Sequence, residues 1–103
     1  MRKVVKFGGT SLANSAQFRK VRDIVLEDEA RTIVVPSAPG RRSANDVKVT
    51  DLLYQCYGLA AAGKDFRRPL QAVRDRYAEI VQGLGLSLPL DEEFRKIEES
   101  LTS

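Results

Sequence analysis

The residues best suited to chemistry lie close to the amino terminus. The segment Lys6 to Ser11 reads KFGGTS and combines one cation, two glycines and two hydroxyl groups. Glycines let a backbone approach a ligand closely, so successive amide N–H groups can point at phosphate oxygens while Lys6 supplies a positive charge. A Walker A loop carries its lysine after the glycines, so this would be another kind of phosphate-binding loop. Two glycines beside an exposed lysine would also fit an ordinary turn.

A second segment of small residues follows about thirty positions later. Residues 34–40 read VVPSAPG, in which Ser37 comes directly after an apolar run. Small side chains leave room for a ligand, and Ser37 would lie beside the first loop. Thr50, near a predicted helix start, could bring a hydroxyl group and a helix amino terminus to the same place. Each residue alone is ordinary for a turn or cap, and their placement together favours a binding site.

These loops require a strand before each of them. Hydrophobic patterning predicts an α/β chain with strands at about 2–7 and 32–36 and helices at about 15–28, 50–62, 66–83 and 91–101. A strand, a helix and a second strand form a βαβ unit, in which the strands are parallel and the crossover is right-handed. Both loops would then emerge at one edge of the sheet, where ligands bind in α/β proteins.

The sequence of the second strand is typical of a sheet with more strands than the two predicted here. Thr32 to Val35 is apolar and β-branched after its threonine, which is typical of a strand covered on both faces. A sheet of two strands usually needs further neighbours, so we expect unpaired edges, an uncovered apolar face and self-association of the isolated chain. Asn14 and Gln17 form a capping box that predicts where the first helix begins.

Composition excludes several classes of function. The 103 residues carry 17 Lys and Arg against 14 Asp and Glu, a net charge of +3 that is too mild and dispersed for a nucleic-acid surface. The pairs Arg41-Arg42 and Arg67-Arg68 lack interleaved aromatic residues and predict solvated surface. With no histidine and only Cys56, which we expect to be buried, the usual zinc sites are excluded and no metal ligands are assigned. We expect no signal peptide or membrane span and a cytoplasmic location.

KFGGTS, the apolar strand leading into SAPG, and VTDLLY together resemble the aspartokinase family over most of the first sixty residues. The resemblance implies a partial amino-acid kinase fold, with residues 1–103 forming the amino-terminal part of one kinase domain and no second domain. It implies transfer of the γ-phosphoryl group of Mg-ATP to the side-chain carboxylate of L-aspartate. ATP and L-aspartate are the implied small-molecule partners, and Mg²⁺ would be held mainly through the ATP phosphates.

The same resemblance implies roles for individual residues. Lys6, Gly8 and Gly9 would be the catalytic residues, with Lys6 on the ATP phosphates and the glycine backbones on the transferring group. Thr10 and Ser11 would complete the phosphate-binding loop. The resemblance further implies that two hydroxyl residues help to bind phosphate and the substrate aspartate, namely Ser37 and Thr50. Because the acceptor carboxylate is itself the nucleophile, the reaction needs no histidine base.

The chain departs from the family pattern in two respects. Pro36 stands where the family usually has an aliphatic residue, and it lacks a backbone donor. The substrate-binding glutamate and arginine, the catalytic-site aspartate, the adenine-binding segment and the ACT domains of the family have no counterpart here, so we expect the isolated chain to be inactive. One alternative is an accessory module that binds phosphate and associates with other chains. Another is an amino-acid kinase acting on glutamate or N-acetylglutamate, whose sequences match these motifs less closely.

Overall fold

The structure, a computed structural model, describes residues 1–102 as two strands, one 3₁₀ turn and four helices. The strands are β1 (Lys3–Phe7) and β2 (Arg31–Pro36), the 3₁₀ turn is Gly9–Leu12, and the helices are α1 (Ser15–Glu27), α2 (Val49–Ala61), α3 (Arg67–Gly83) and α4 (Leu90–Thr102). These bounds confirm the predicted α/β element order. The chain divides into two compact units, Met1–Thr50 and a second that begins at Asp51.

The first unit is built on a parallel strand pair. β1 and β2 align so that Val4 faces Ile33 and Phe7 faces Pro36, with an irregularity in the register after Lys3. This confirms the predicted parallel pairing. Because parallel strands run in the same direction, the segments that follow Phe7 and Pro36 leave the sheet at the same edge.

α1 connects the two strands and begins where the capping box predicts. The side chain of Asn14 accepts a hydrogen bond of 3.0 Å from the backbone amide of Gln17, which satisfies a donor that the helix leaves unpaired. The helix packs against β2 and against the 3₁₀ turn. Through this packing α1 holds the first loop in a fixed position relative to the sheet.

The prediction that β2 is covered on both faces is wrong for this chain. Ile33, Val34 and Val35 are 45%, 41% and 45% exposed, and in β1 only Phe7 is buried. Within residues 1–102 the sheet contains two strands, so neither strand has a neighbour on its outer edge. An apolar strand without such neighbours remains exposed to solvent, whatever its sequence predicts.

The second unit consists mainly of helices around an apolar core. Leu70, Val73 and Ile80 of α3 are buried together with Phe94 of α4, whose ring meets Tyr77 edge to face at 6.2 Å. The same unit contains a cavity of about 180 Å³, which is lined by Leu53, Val73, Tyr77, Leu90, Glu93, Phe94 and Ile97. Cys56 is buried as predicted, and burial raises the pKa of its thiol. This unit supplies none of the predicted site residues.

The ends of the helices in the second unit show the expected turn chemistry. Gly63 and Gly85 have positive φ angles of 70° and 69°, which suit glycine after a helix. The carboxylate of Asp65 accepts the backbone amide of Arg67 at 2.9 Å, and it also pairs with that guanidinium, which lowers the pKa of Asp65 to about 2. Helix α4 begins at Leu90, and Asp91 lies in its first turn. Within residues 1–102 no helix is long and apolar enough to cross a membrane.

Candidate functional site

The first loop begins after β1 with Gly8 in an extended conformation and continues into the 3₁₀ turn. Gly8 has φ −77° and ψ 173°, and its carbonyl accepts the amide of Ser11 at 3.1 Å. The Ser11 amide is therefore occupied by the turn. The amides of Gly9 and Thr10 donate to no acceptor within residues 1–102. Within this loop the amides of Gly9 and Thr10 are thus open to a ligand, whereas the amide of Ser11 is not.

Three backbone hydrogen bonds join the first loop to the second and the second to the start of α2. The Ser37 amide donates to the Phe7 carbonyl at 3.0 Å, and the Gly40 amide donates to the Gly9 carbonyl at 2.8 Å. The Val49 amide then donates to the carbonyl of Pro39 at 3.0 Å. All three bonds lie within the first unit. The first two bonds join segments about thirty residues apart in the sequence, and the third adds the start of α2, ten residues after Pro39.

The contact between the two loops requires glycine at position 40 and leaves little room for a side chain at position 9. A Cβ atom placed on Gly40 would lie 2.6 Å from the carbonyl carbon of Gly9 and 2.8 Å from the Thr10 nitrogen. A Cβ atom on Gly9 would lie 3.1 Å from the carbonyl oxygen of Ala38. Gly8 has nothing within 4 Å. The glycines at 9 and 40 therefore serve the packing of the two loops, whereas Gly8 faces open space.

An open cavity of about 380 Å³ lies where the two loops meet. It is lined by Gly9, Thr10, Gly40, Arg41 and Lys48. Two predicted site residues, Gly9 and Thr10, therefore share a concave surface with two cations that the sequence analysis did not assign to the site. Such a surface, with amide donors and positive charge but no carboxylate in its lining, is suited to an anion.

The remaining predicted site residues lie close to this cavity along the chain but do not line it. Lys6 is exposed near the end of β1, and its ammonium group forms no hydrogen bond or ion pair within residues 1–102. Ser37 is exposed directly after β2, beside Phe7 as predicted. Thr50 is exposed in the first turn of α2, one residue after the anchored Val49. The structure thus places these residues around one edge of the sheet, and their roles stay predictions.

The segment between Gly40 and Val49 is held in shape by one charged pair. Arg42 donates from its backbone amide and its guanidinium to the Asp46 carboxylate, at 2.9 Å and 2.6 Å. These bonds hold the pKa of the Asp46 carboxyl well below its usual range. Arg41 and Arg42 were both predicted to be solvated surface. Arg42 instead pairs with Asp46 and closes the segment, whereas Arg41 lines the cavity.

Pro36 removes no backbone hydrogen bond between β2 and β1. Successive backbone N–H groups of a strand point to opposite sides, and the Ser37 amide points to β1. Position 36 therefore directs its nitrogen away from β1, where no strand lies within residues 1–102. The missing donor of Pro36 affects the open edge of β2, not the contact between the two loops.

No group of three or more acidic or cysteine side chains within residues 1–102 is placed to hold a metal ion.

Comparison with known proteins gives one consistent result. The chain is 48% identical over 93 residues to aspartokinase 3 of Bacillus subtilis, a match that covers 90% of this chain and 20% of that protein. The aspartate kinase of Clostridium acetobutylicum superposes with a TM-score of 0.91 at 39% identity, over 96% of this chain and 23% of that one. Escherichia coli aspartokinase III, solved with aspartate and ADP, superposes with a TM-score of 0.71 at 31% identity, over 97% and 21%. No model of a known protein family matches the chain.

The parallel strand pair, its helices and its two glycine loops therefore form part of an amino-acid kinase domain. The chain belongs to the aspartokinase family, as the similarity over nine tenths of its length shows. It spans about a fifth of the length of the relatives that it matches.

Proposed function

We propose that this chain supplies the phosphate-binding part of an aspartate kinase, an enzyme that transfers the γ-phosphoryl group of Mg-ATP to L-aspartate. The products of that reaction are ADP and 4-phospho-L-aspartate. The observation that supports the proposal most is the set of three backbone hydrogen bonds that join KFGGTS, SAPG and the start of α2. Similarity to an aspartokinase that was solved with aspartate and ADP supports the proposal that the substrates are aspartate and an adenine nucleotide.

The residues of the site fit the demands of this reaction. Phosphoryl transfer depends on positioning and on neutralising spread negative charge, rather than on a nucleophile from the protein. In the proposed site Lys6 contacts the ATP phosphates, and the backbones of Gly8 and Gly9 hold the transferring group. Thr10 and Ser11 add hydroxyl donors to the same oxygens. Bound Mg²⁺ would neutralise the β- and γ-phosphate oxygens.

The acceptor side of the proposed site lies on the second loop. Ser37 and Thr50 are both exposed; the amide of Ser37 is bonded to the Phe7 carbonyl, and Thr50 directly follows the bonded Val49. Their hydroxyl groups would hold the substrate aspartate and adjacent phosphate oxygens. Because the aspartate carboxylate attacks phosphorus directly, these residues orient the nucleophile and need not remove a proton.

An exchange of segments tests the proposed function. The homologous segment of Bacillus subtilis aspartokinase 3, about 93 residues, is replaced by the corresponding part of this chain. We expect the hybrid enzyme to form aspartyl phosphate, trapped as the hydroxamate with hydroxylamine, because the exchanged part retains the loop contacts. The 103-residue chain alone should form none. A hybrid that folds, as judged by its circular dichroism and size, but forms no hydroxamate would contradict the proposal.

We also propose that the isolated chain associates with itself through the exposed sheet. Apolar side chains along β2 combine with an unpaired strand edge, which is a template for pairing with another chain. At micromolar concentration, light scattering should give a mass above 11.5 kDa for the unchanged chain. Ile33→Lys should lower that mass, whereas Leu26→Lys, which adds the same charge on α1, should not. A stable monomer of the unchanged chain would refute this proposal.

A further inference from the structure

Two cations of the cavity have no assigned role in the proposed reaction. Arg41 and Lys48 both line it together with Gly9 and Thr10. Neither side chain forms a hydrogen bond or an ion pair within residues 1–102, although Arg42 beside them is paired with Asp46. The carboxylate of Asp46 is thus already paired with Arg42. The two other cations line a cavity whose lining contains no carboxylate.

The backbone positions of both cations are fixed by the contacts between the loops. Arg41 directly follows Gly40, whose amide is bonded to the Gly9 carbonyl at 2.8 Å. Lys48 directly precedes Val49, which is fully buried and bonded to the Pro39 carbonyl at 3.0 Å. The segment between them is closed by the Arg42–Asp46 pair at 2.6 Å. Both side chains therefore start from anchored points on the cavity rim, although they are long and flexible.

We propose that Arg41 and Lys48 bind the phosphate chain of the nucleotide, on the side of the Gly9-Thr10 turn that faces the second loop. The inference rests on the proposed function, to which it adds two phosphate-binding residues. Arginine offers a planar fork of donors to phosphate oxygens, and lysine offers a compact charge. Together they would neutralise part of the charge that a polyphosphate brings into the cavity.

A titration with sodium tripolyphosphate, a polyphosphate without base or sugar, tests the inference on the full chain. Arg41→Gln and Lys48→Met each remove one charge from an exposed side chain, so the fold should be retained, and circular dichroism checks this. We expect each variant to weaken the binding of tripolyphosphate roughly fivefold, the effect of one solvent-exposed charged contact. Lys48→Arg should restore most of the affinity.

The matched control is Lys20→Met, which removes the same charge from an exposed position on α1 outside the cavity. It should bind tripolyphosphate as the unchanged chain does. Equal affinities for Lys48→Met and Lys20→Met would overturn the inference, as would the absence of saturable binding by the unchanged chain. The inference would also be overturned if Arg41→Gln and Lys48→Met lost the binding of L-aspartate but kept that of tripolyphosphate. The two cations would then bind a carboxylate and not a phosphate chain.

The inference about Arg41 and Lys48 can fail independently of the proposed function. If Lys6→Ala weakens the binding of tripolyphosphate while Arg41→Gln and Lys48→Met leave it unchanged, only the inference about the two cations fails. Failure of the proposed function would appear in the hydroxamate assay of the hybrid enzyme, whatever the affinity of the isolated chain for tripolyphosphate.

Discussion

Gly40→Ala should separate the two loops and abolish most of the affinity for phosphate. The added methyl group would lie 2.6 Å from the Gly9 carbonyl carbon, 2.8 Å from the Thr10 nitrogen and 2.9 Å from the Gly9 oxygen. All three neighbours are backbone atoms, so no side-chain rotation can relieve the overlap. The backbone must move apart, and the bond from the Gly40 amide to the Gly9 carbonyl is lost. We expect a cost of about 1–3 kcal/mol in the free energy of unfolding, as for overpacked interiors.

Two other glycines of the site provide graded controls for this substitution. Gly9→Ala should cost less than Gly40→Ala, because its nearest contact is 3.1 Å and small shifts can accommodate it. Gly8→Ala should leave stability unchanged or slightly higher, since its φ of −77° suits alanine and nothing lies within 4 Å. Urea unfolding of the three variants, followed by circular dichroism, gives the order. Equal stability of Gly40→Ala and Gly8→Ala would show that the loops are not in contact in solution.

The local elements of this chain were predictable from sequence because their signals are local. Asn14 and Gln17 place the start of α1, and the glycines at 63 and 85 follow the ends of α2 and α3. The burial of β2 was not predictable from Thr32 to Val35. Its apolar residues indicate a strand with neighbours, whereas exposure depends on which other segments pair with it.

The site was predictable in part. The positions of Gly9, Thr10 and Ser37 follow from the rule that parallel strands release their loops at one edge. Arg41 and Lys48 were missed, since seven positions separate them and an irregular segment gives no periodicity from which to infer that both line one cavity. Arg41 was grouped with Arg42 as surface. The signal that could have distinguished them is Asp46, placed to pair with Arg42 and leave its neighbour uncommitted.

Loss of the Lys6 charge should have the largest effect on nucleotide binding. Lys6 is exposed near the end of β1, two residues before Gly8, and its ammonium group has no partner within residues 1–102. The loop that follows contains the open Gly9 and Thr10 amides. A hydrogen bond to a charged group contributes about 1.5–3 kcal/mol, which corresponds to roughly 10- to 150-fold in affinity. Lys6→Ala removes that contact, and because the side chain is exposed the fold should be unaffected.

The most direct measurement is a calorimetric titration of the chain with Mg-ATP, carried out on the unchanged protein, on Lys6→Ala and on Lys20→Ala as the matched control. The proposed phosphate site predicts weak but saturable binding by the unchanged chain and by Lys20→Ala, and a loss of roughly tenfold or more for Lys6→Ala. Identical heats for Lys6→Ala and Lys20→Ala would contradict the assignment of Lys6 to the nucleotide phosphates.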